Sequence, residues 1–287
     1  MVTSVSRDFH IQANGLSLAC RSWNANSGLP PIICLHGWLD NLATFDALAT
    51  ELPEYHLIAV DLPGHGRSDH LPVQASYHFL DHVFFIADIL EALQLKQPVS
   101  IIGHSMGGAA ATIFAGIAPE KINRLVLIDS LGPLTAEVDQ TTARMKEYLG
   151  VRNSARLQKN RPLPSVQVAV ETRVKFSVVP SVASDISGIV SYGLEERDGQ
   201  WHWLHDARLK SPSPWRMTED QLHDVLKDVK CETLVVRAKD GIVLDEQLWN
   251  RRLQRLTNCR QVVLSGHHHL HVSNATEVSQ EIRLFLG

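Results

Sequence analysis

Five residues, Gly103-His104-Ser105-Met106-Gly107, follow the apolar run Val99–Ile102 and lead into an alanine-rich stretch stopped by Pro119. A strand that turns this sharply into a helix leaves its serine exposed and strained, and the flanking glycines give the backbone room to pass. At the start of that helix the Met106 N–H and the positive end of the helix dipole face any oxyanion formed above the serine. Ser105 is therefore a candidate nucleophile for attack on a carbonyl. A serine hydroxyl is a weak nucleophile at neutral pH, so it needs a histidine to take its proton and a carboxylate to hold that histidine. Histidines crowd the stretch Gly266-His267-His268-His269-Leu270-His271. Carboxylates stand where apolar runs end: Asp129 after 124–128, Asp240 after 233–236, with Asp245 a little further on.

Positioning these groups is the task of alternating strands and helices. Val5 to Trp23 reads as two strands joined at Asn14-Gly15, which tolerates the positive φ of a tight hairpin. The runs 32–35, 56–60, 99–102, 124–128, 233–236 and 261–264 lack polar alternation, as strands buried on both faces do. Helical spacing is expected over 41–52, 77–95, 105–118, 246–256 and 275–286. This order predicts a mostly parallel sheet with helices on both faces, its loops gathering the chemistry at the strands' C-terminal edge. The alternation lapses over 131–217, a more polar stretch carrying Pro162, Pro164, Pro180, Pro212 and Pro214. A helical cap inserted after the sixth strand is expected there, with a core domain formed by 1–130 and 218–287. The aromatics Phe176, Tyr192, Trp201, Trp203 and Trp215 are read as ordinary cap core rather than as a specificity pocket.

With the elbow around Ser105, the segment Leu35-His36-Gly37-Trp38 and the loop Asp61-Leu-Pro-Gly-His-Gly-Arg-Ser68, the chain resembles the α/β hydrolases along most of its length. Within them it is most similar to the serine hydrolase-like proteins, through Leu127-Ile-Asp-Ser and the stretch from Gly199-Gln-Trp-His-Trp to Ser211-Pro-Ser-Pro. The resemblance implies the chain order serine, acid, histidine, and backbone N–H groups of Trp38 and Met106 as the oxyanion hole. It implies Asp240 as the acid, with Asp129 the alternative that some relatives use, although those with the acid at 240 carry glycine where this chain has Arg237. It implies His268 as the base, three positions before His271-Val-Ser-Asn, with His267 the alternative. The loop 61–68 is assigned structural work, and His65 is read as packed.

Several classes are set aside. A net charge of −4 over 287 residues offers no basic field for nucleic acid or an anionic membrane surface. No apolar run suits a spanning helix, nothing between Met1 and His10 resembles an export signal, and the four cysteines show no metal or redox spacing. A cytoplasmic protein with reduced thiols is expected. Histidines 267–271 could ligate zinc, but no acidic or cysteine partner accompanies them at ligand spacing, so neither metal nor other cofactor is expected. The expected activity is hydrolysis of a small or medium-sized carboxylic ester through an acyl-serine. A thioester, lactone or carbon–carbon bond cleaved by the same triad stands as the alternative, and so does a ligand-binding or signalling module on the same scaffold.

Overall fold

A computed structural model describes residues 6–242 and 244–287; Val5, the expected start of the hairpin, lies outside them. Strands β1 (Ser6–Ala13) and β2 (Leu16–Trp23) pair antiparallel around Asn14 and Gly15, both at positive φ, as the Asn-Gly turn requires. Next come β3 (Ile32–Leu35), a 3-10 turn over Leu42–Phe45, helix α1 (Asp46–Glu51) and β4 (Leu57–Val60). The single helix expected over 41–52 is thus split, because the Asn41 side chain accepts from the Ala43 N–H and opens the segment as a 3-10 turn. Helix α2 (Phe79–Ala92), β5 (Val99–His104), α3 (Met106–Ile117) and β6 (Ile122–Ile128) complete the first half.

Between β6 and the next strand of the main sheet lie α4 (Thr141–Arg156), α5 (Val166–Lys175), α6 (Ala183–Tyr192), the hairpin β7 (Leu194–Arg197) and β8 (Gln200–Trp203), and α7 (Glu219–Leu226). The chain then resumes strand–helix alternation with β9 (Glu232–Asp240), α8 (Glu246–Arg255), β10 (Cys259–His267), the short α9 (Leu270–Ser273) and α10 (Ala275–Leu286). The main sheet runs β1-β2-β4-β3-β5-β6-β9-β10, with β1 and β2 antiparallel and the rest parallel.

Both faces of this sheet are covered, which is why its central strands carry no polar alternation. Side chains of α2, α3, α7 and α8, among them Val83, Phe114, Leu222 and Trp249, pack on one face. Leu48 of α1, Leu270 of α9 and Val278 and Ile282 of α10 pack on the other. A separate small core joins α5, α6 and β7 through Ala169, Val170, Ile186, Ile189 and Leu194, with Trp201 and Trp203 against it. Phe176 and Trp215 are not core, being 72% and 38% exposed. Asn41 reaches from the main body to the Ile189 carbonyl of α6 (2.7 Å), and the Trp38 indole N–H reaches the Leu209 carbonyl (3.0 Å).

Candidate active site

Ser105 sits at φ 50, ψ −117, between β5 and α3. A non-glycine residue holds such angles only when its surroundings over-determine it. Here the Ser105 N–H donates to the Ile128 carbonyl, its own carbonyl accepts from Ser130 Oγ and the Ala109 N–H, and the Gly107 N–H donates to the His36 carbonyl. The glycines are needed for close approach: a Cβ on Gly103 would lie 2.5 Å from Gly108 Cα, and one on Gly107 would lie 2.2 Å from the Leu35 carbonyl oxygen. Both N–H groups singled out for an oxyanion, those of Trp38 and Met106, lack a protein acceptor among the described residues.

His268 is 3% exposed, and its Nδ1 lies 2.6 Å from Asp129 Oδ2. Asp129 follows β6 in the left-handed region (φ 44) and is fully buried. Its carboxylate also accepts the Ala238 N–H on Oδ1 (3.1 Å) and the Ile242 N–H on Oδ2 (2.8 Å). The loop after β9 wraps this carboxylate so closely that a Cβ on Gly241 would stand 2.3 Å from it. The structure does not bring Asp240, the expected acid, to the histidine: Asp240 is exposed at the end of β9, in ladder register with His267, and the carboxylate at the His268 ring is that of the alternative, Asp129. His267 likewise belongs to the β10 ladder, its Nδ1 unpartnered and away from Asp129. Asp245 caps α8 by accepting the Leu248 N–H (3.0 Å). Ser105 Oγ and His268 share no hydrogen bond here; in unliganded sites that bond is often long and tightens when substrate arrives.

Around this pair lies a dense set of buried histidines. His36 accepts the Leu62 N–H on Nε2 and donates from Nδ1 to the Gly37 carbonyl, tying the exits of β3 and β4. Burial pushes it down to about 4, which keeps it neutral. His65 packs against the rings of His36 and His82. His104 Nε2 donates to the His268 carbonyl (3.0 Å), and the two rings stand 4.6 Å apart. His271 meets Thr44 Oγ1 (2.7 Å).

Asp40, which sequence reasoning did not single out, joins this set: its Oδ2 meets His269 Nε2 (3.0 Å), and its Oδ1 takes Arg173 Nη2 from α5 (2.9 Å). Burial raises the Asp40 carboxyl, but His269 and the Arg173 guanidinium outweigh it and hold the group well below its ordinary range. The one signal available in the sequence was its place five residues after the first central strand, in the same loop as Gly37 and Trp38.

Comparison with known proteins places the chain in a family. Residues 30–274 match the α/β hydrolase fold family. The chain belongs to that family. A serine hydrolase-like protein of Danio rerio is 32% identical over 92% of this chain and 83% of its own length. One from Dictyostelium discoideum is 30% identical over 95% of this chain and 79% of its own length. Among solved structures, a hypothetical protein of Pseudomonas aeruginosa PAO1 superposes with a TM-score of 0.90 at 31% identity, covering 97% of this chain and 99% of that one. A thioesterase domain from the curacin biosynthetic pathway superposes with a TM-score of 0.80 at 25% identity over 97% of this chain and 99% of its own. Among the described residues of this α/β hydrolase, no helix is long and apolar enough to cross a membrane.

Proposed function

We propose that this α/β hydrolase cleaves carboxylic esters of small or medium-sized molecules through an acyl-serine, with Ser105, His268 and Asp129 as the triad. The observation that carries this reading is the 2.6 Å contact of His268 Nδ1 with the buried Asp129 carboxylate, in the loop opposite a serine held at φ 50. With Nδ1–H given to Asp129, Nε2 of the neutral ring keeps its lone pair for the Ser105 proton. Ser105 Oγ attacks the carbonyl carbon, and the Trp38 and Met106 N–H groups hold the oxyanion. His268 then returns the proton to the departing alkoxide, and water repeats the sequence to release the acid. Asp129 stays ionised and balances the imidazolium charge, its other lone pairs held by the Ala238 and Ile242 N–H groups. The segment 131–217 acts as a cap over Ser105, docked through Asn41, Trp38 and Arg173.

A thioester is the second reading, favoured by the likeness to the thioesterase domain, since the same attack expels a thiolate. The test is turnover of p-nitrophenyl esters and acyl thioesters of increasing chain length, with Ser105→Ala beside the parent and fluorophosphonate labelling as a separate readout. Turnover and labelling that both vanish in Ser105→Ala support the reading, and the better series names the substrate class. A parent that neither turns over nor labels at Ser105 refutes it.

A further inference from the structure

Asp40 and His269 come from two different loops and His104 from the end of β5, yet their donor atoms lie within 4.8 Å of one another and all three side chains are buried. Asp40 Oδ2 stands 3.0 Å from His269 Nε2 and 3.5 Å from His104 Nδ1. Donors bound to one tetrahedral ion at about 2.0–2.2 Å are separated by roughly 3.3–3.5 Å, so the two separations at Asp40 are already close to those of a ligand set. His104 supplies the second observation. Its Nε2 donates to the His268 carbonyl, so in the neutral ring Nδ1 bears a lone pair, and that atom has no hydrogen-bond partner. It faces the Asp40 carboxylate, placing two electron-rich atoms opposite each other in a buried site. At Gly37 a Cβ would come 3.0 Å from Asp40 Oδ2 and 3.1 Å from His104 Nδ1, so the missing side chain keeps the junction open.

We propose that Asp40 Oδ2, His104 Nδ1 and His269 Nε2 form a binding site for a divalent transition-metal ion of the zinc class, with water as the fourth ligand. Imidazole and carboxylate ligands suit such an ion, and a backbone carbonyl holding the outer N–H of a ligating histidine is the usual outer support. To bind, His269 moves its proton from Nε2 to Nδ1, whose position is unpartnered in the present state, so no proton need leave the protein. The cation now held by Asp40 is the Arg173 guanidinium, which also donates to the Trp38 carbonyl (3.0 Å). A divalent ion on Asp40 repels that guanidinium, so metal and Arg173 compete. A small cavity lined by Asp40, Arg173, Trp203 and His205 adjoins the Asp40 side of the cluster. Metal occupancy therefore frees Arg173 from the segment that presents the Trp38 N–H and inhibits hydrolysis; this last clause alone rests on the function proposed above.

The experiment is calorimetric titration of the full chain with ZnCl2 in a non-chelating buffer, paralleled by the visible absorption of added Co2+. Parent, His269→Gln, Asp40→Asn, Arg173→Ala and His267→Gln proteins are compared, each checked for folding by near-ultraviolet circular dichroism. The proposal expects one site per chain, weakened at least about tenfold in His269→Gln and Asp40→Asn, tightened in Arg173→Ala and unchanged in His267→Gln. Loss of binding in His267→Gln with retention in His269→Gln would mean surface histidines hold the ion and overturns it. So does an absence of binding in both parent and Arg173→Ala. If Asp40→Asn does not fold, His269→Gln and Arg173→Ala decide alone. Binding is read by heat and absorption, so its failure is distinguishable from a failure of the hydrolase reading. Binding that leaves ester turnover untouched overturns the inhibitory clause.

Discussion

Asp129 and Asp240 are the same residue type at the ends of neighbouring parallel strands, and the difference between them is one of hydrogen bonding. Asp129 takes the His268 ring and two backbone N–H groups on a fully buried carboxylate, whereas Asp240 is exposed. Replacing Asp129 by Asn offers His268 an amide in place of an acceptor and disfavours the Nδ1–H tautomer. Asp129→Asn is expected to lower kcat by about 10⁴ with little change in KM, while Asp240→Asn stays within about twofold of the parent. Steady-state kinetics on the best ester from the panel check this, and equal losses in the two variants would return the acid to Asp240. The strained turn at Ser105 and the place of His268 were legible in the sequence, because the glycines of a tight elbow and a histidine loop after the last strand leave local marks. The carboxylate that meets His268 left only partial marks, since both strand ends satisfy the chain order. Arg237 was a partial mark: it lies three residues before Asp240, pairs with Glu246 and stacks on Trp249, a surface arrangement unlike a site. Gly241, required by the Asp129 carboxylate rather than by its neighbour, was the other.

At the scale of elements, the buried parallel strands were readable because they lack polar alternation, and the hairpin because Asn-Gly demands positive φ. The short helices α7 and α9 were not, since so few residues give too little periodicity, and α4 buries none of its residues at all. What fixes α7 and α8 against the exit of β6 is equally invisible in a sequence. Arg252 of α8 is fully buried, donating to the Leu131 carbonyl (2.8 Å), to Glu219 at the head of α7 and to Thr135. Removing one member of a buried pair strands the other, at about 3–5 kcal/mol, whereas removing both loses far less. Arg252→Leu is therefore expected to destabilise the fold by about that amount, and the Arg252→Leu/Glu219→Leu double variant to recover a large part of it. Urea unfolding of the four proteins completes the cycle. A double variant as unstable as the sum of the singles would show that the two side chains act independently.

For the whole molecule, the buried histidines set how stability depends on pH. Burial pushes His36, His82 and His104 down to about 4, and His205 to about 3. Burial, with neighbouring histidines adding to it, holds His65 and His271 well below their ordinary value. All six stay neutral in the fold but take up protons in the unfolded chain below about 6.5, so the unfolded state binds more protons and stability falls as pH drops from 6.5 towards 4. Asp61 works the other way: burial raises it to about 7 against the pull of the Arg67 and Leu42 N–H groups and Tyr192, so its share of stability is lost as pH rises from 3.8 to 7. His56 is lowered by burial in the same way, and Asp46 and Asp88 are raised by burial as Asp61 is; the histidines outnumber these carboxylates, and the protein is expected to lose stability on mild acidification. His82 isolates the effect, because it lies in α2 with its Nδ1 unpartnered and its ring beside His65, outside the Ser105–His268 pair. His82→Leu removes one titrating group at similar volume, and should flatten the slope of unfolding free energy between pH 6 and 5 by about 1 kcal/mol per pH unit. Denaturant unfolding at a series of pH values measures that slope directly. A variant with the parent's slope would mean that His82 takes up its proton without leaving the native packing, and that the acid sensitivity resides in the histidines around the active site.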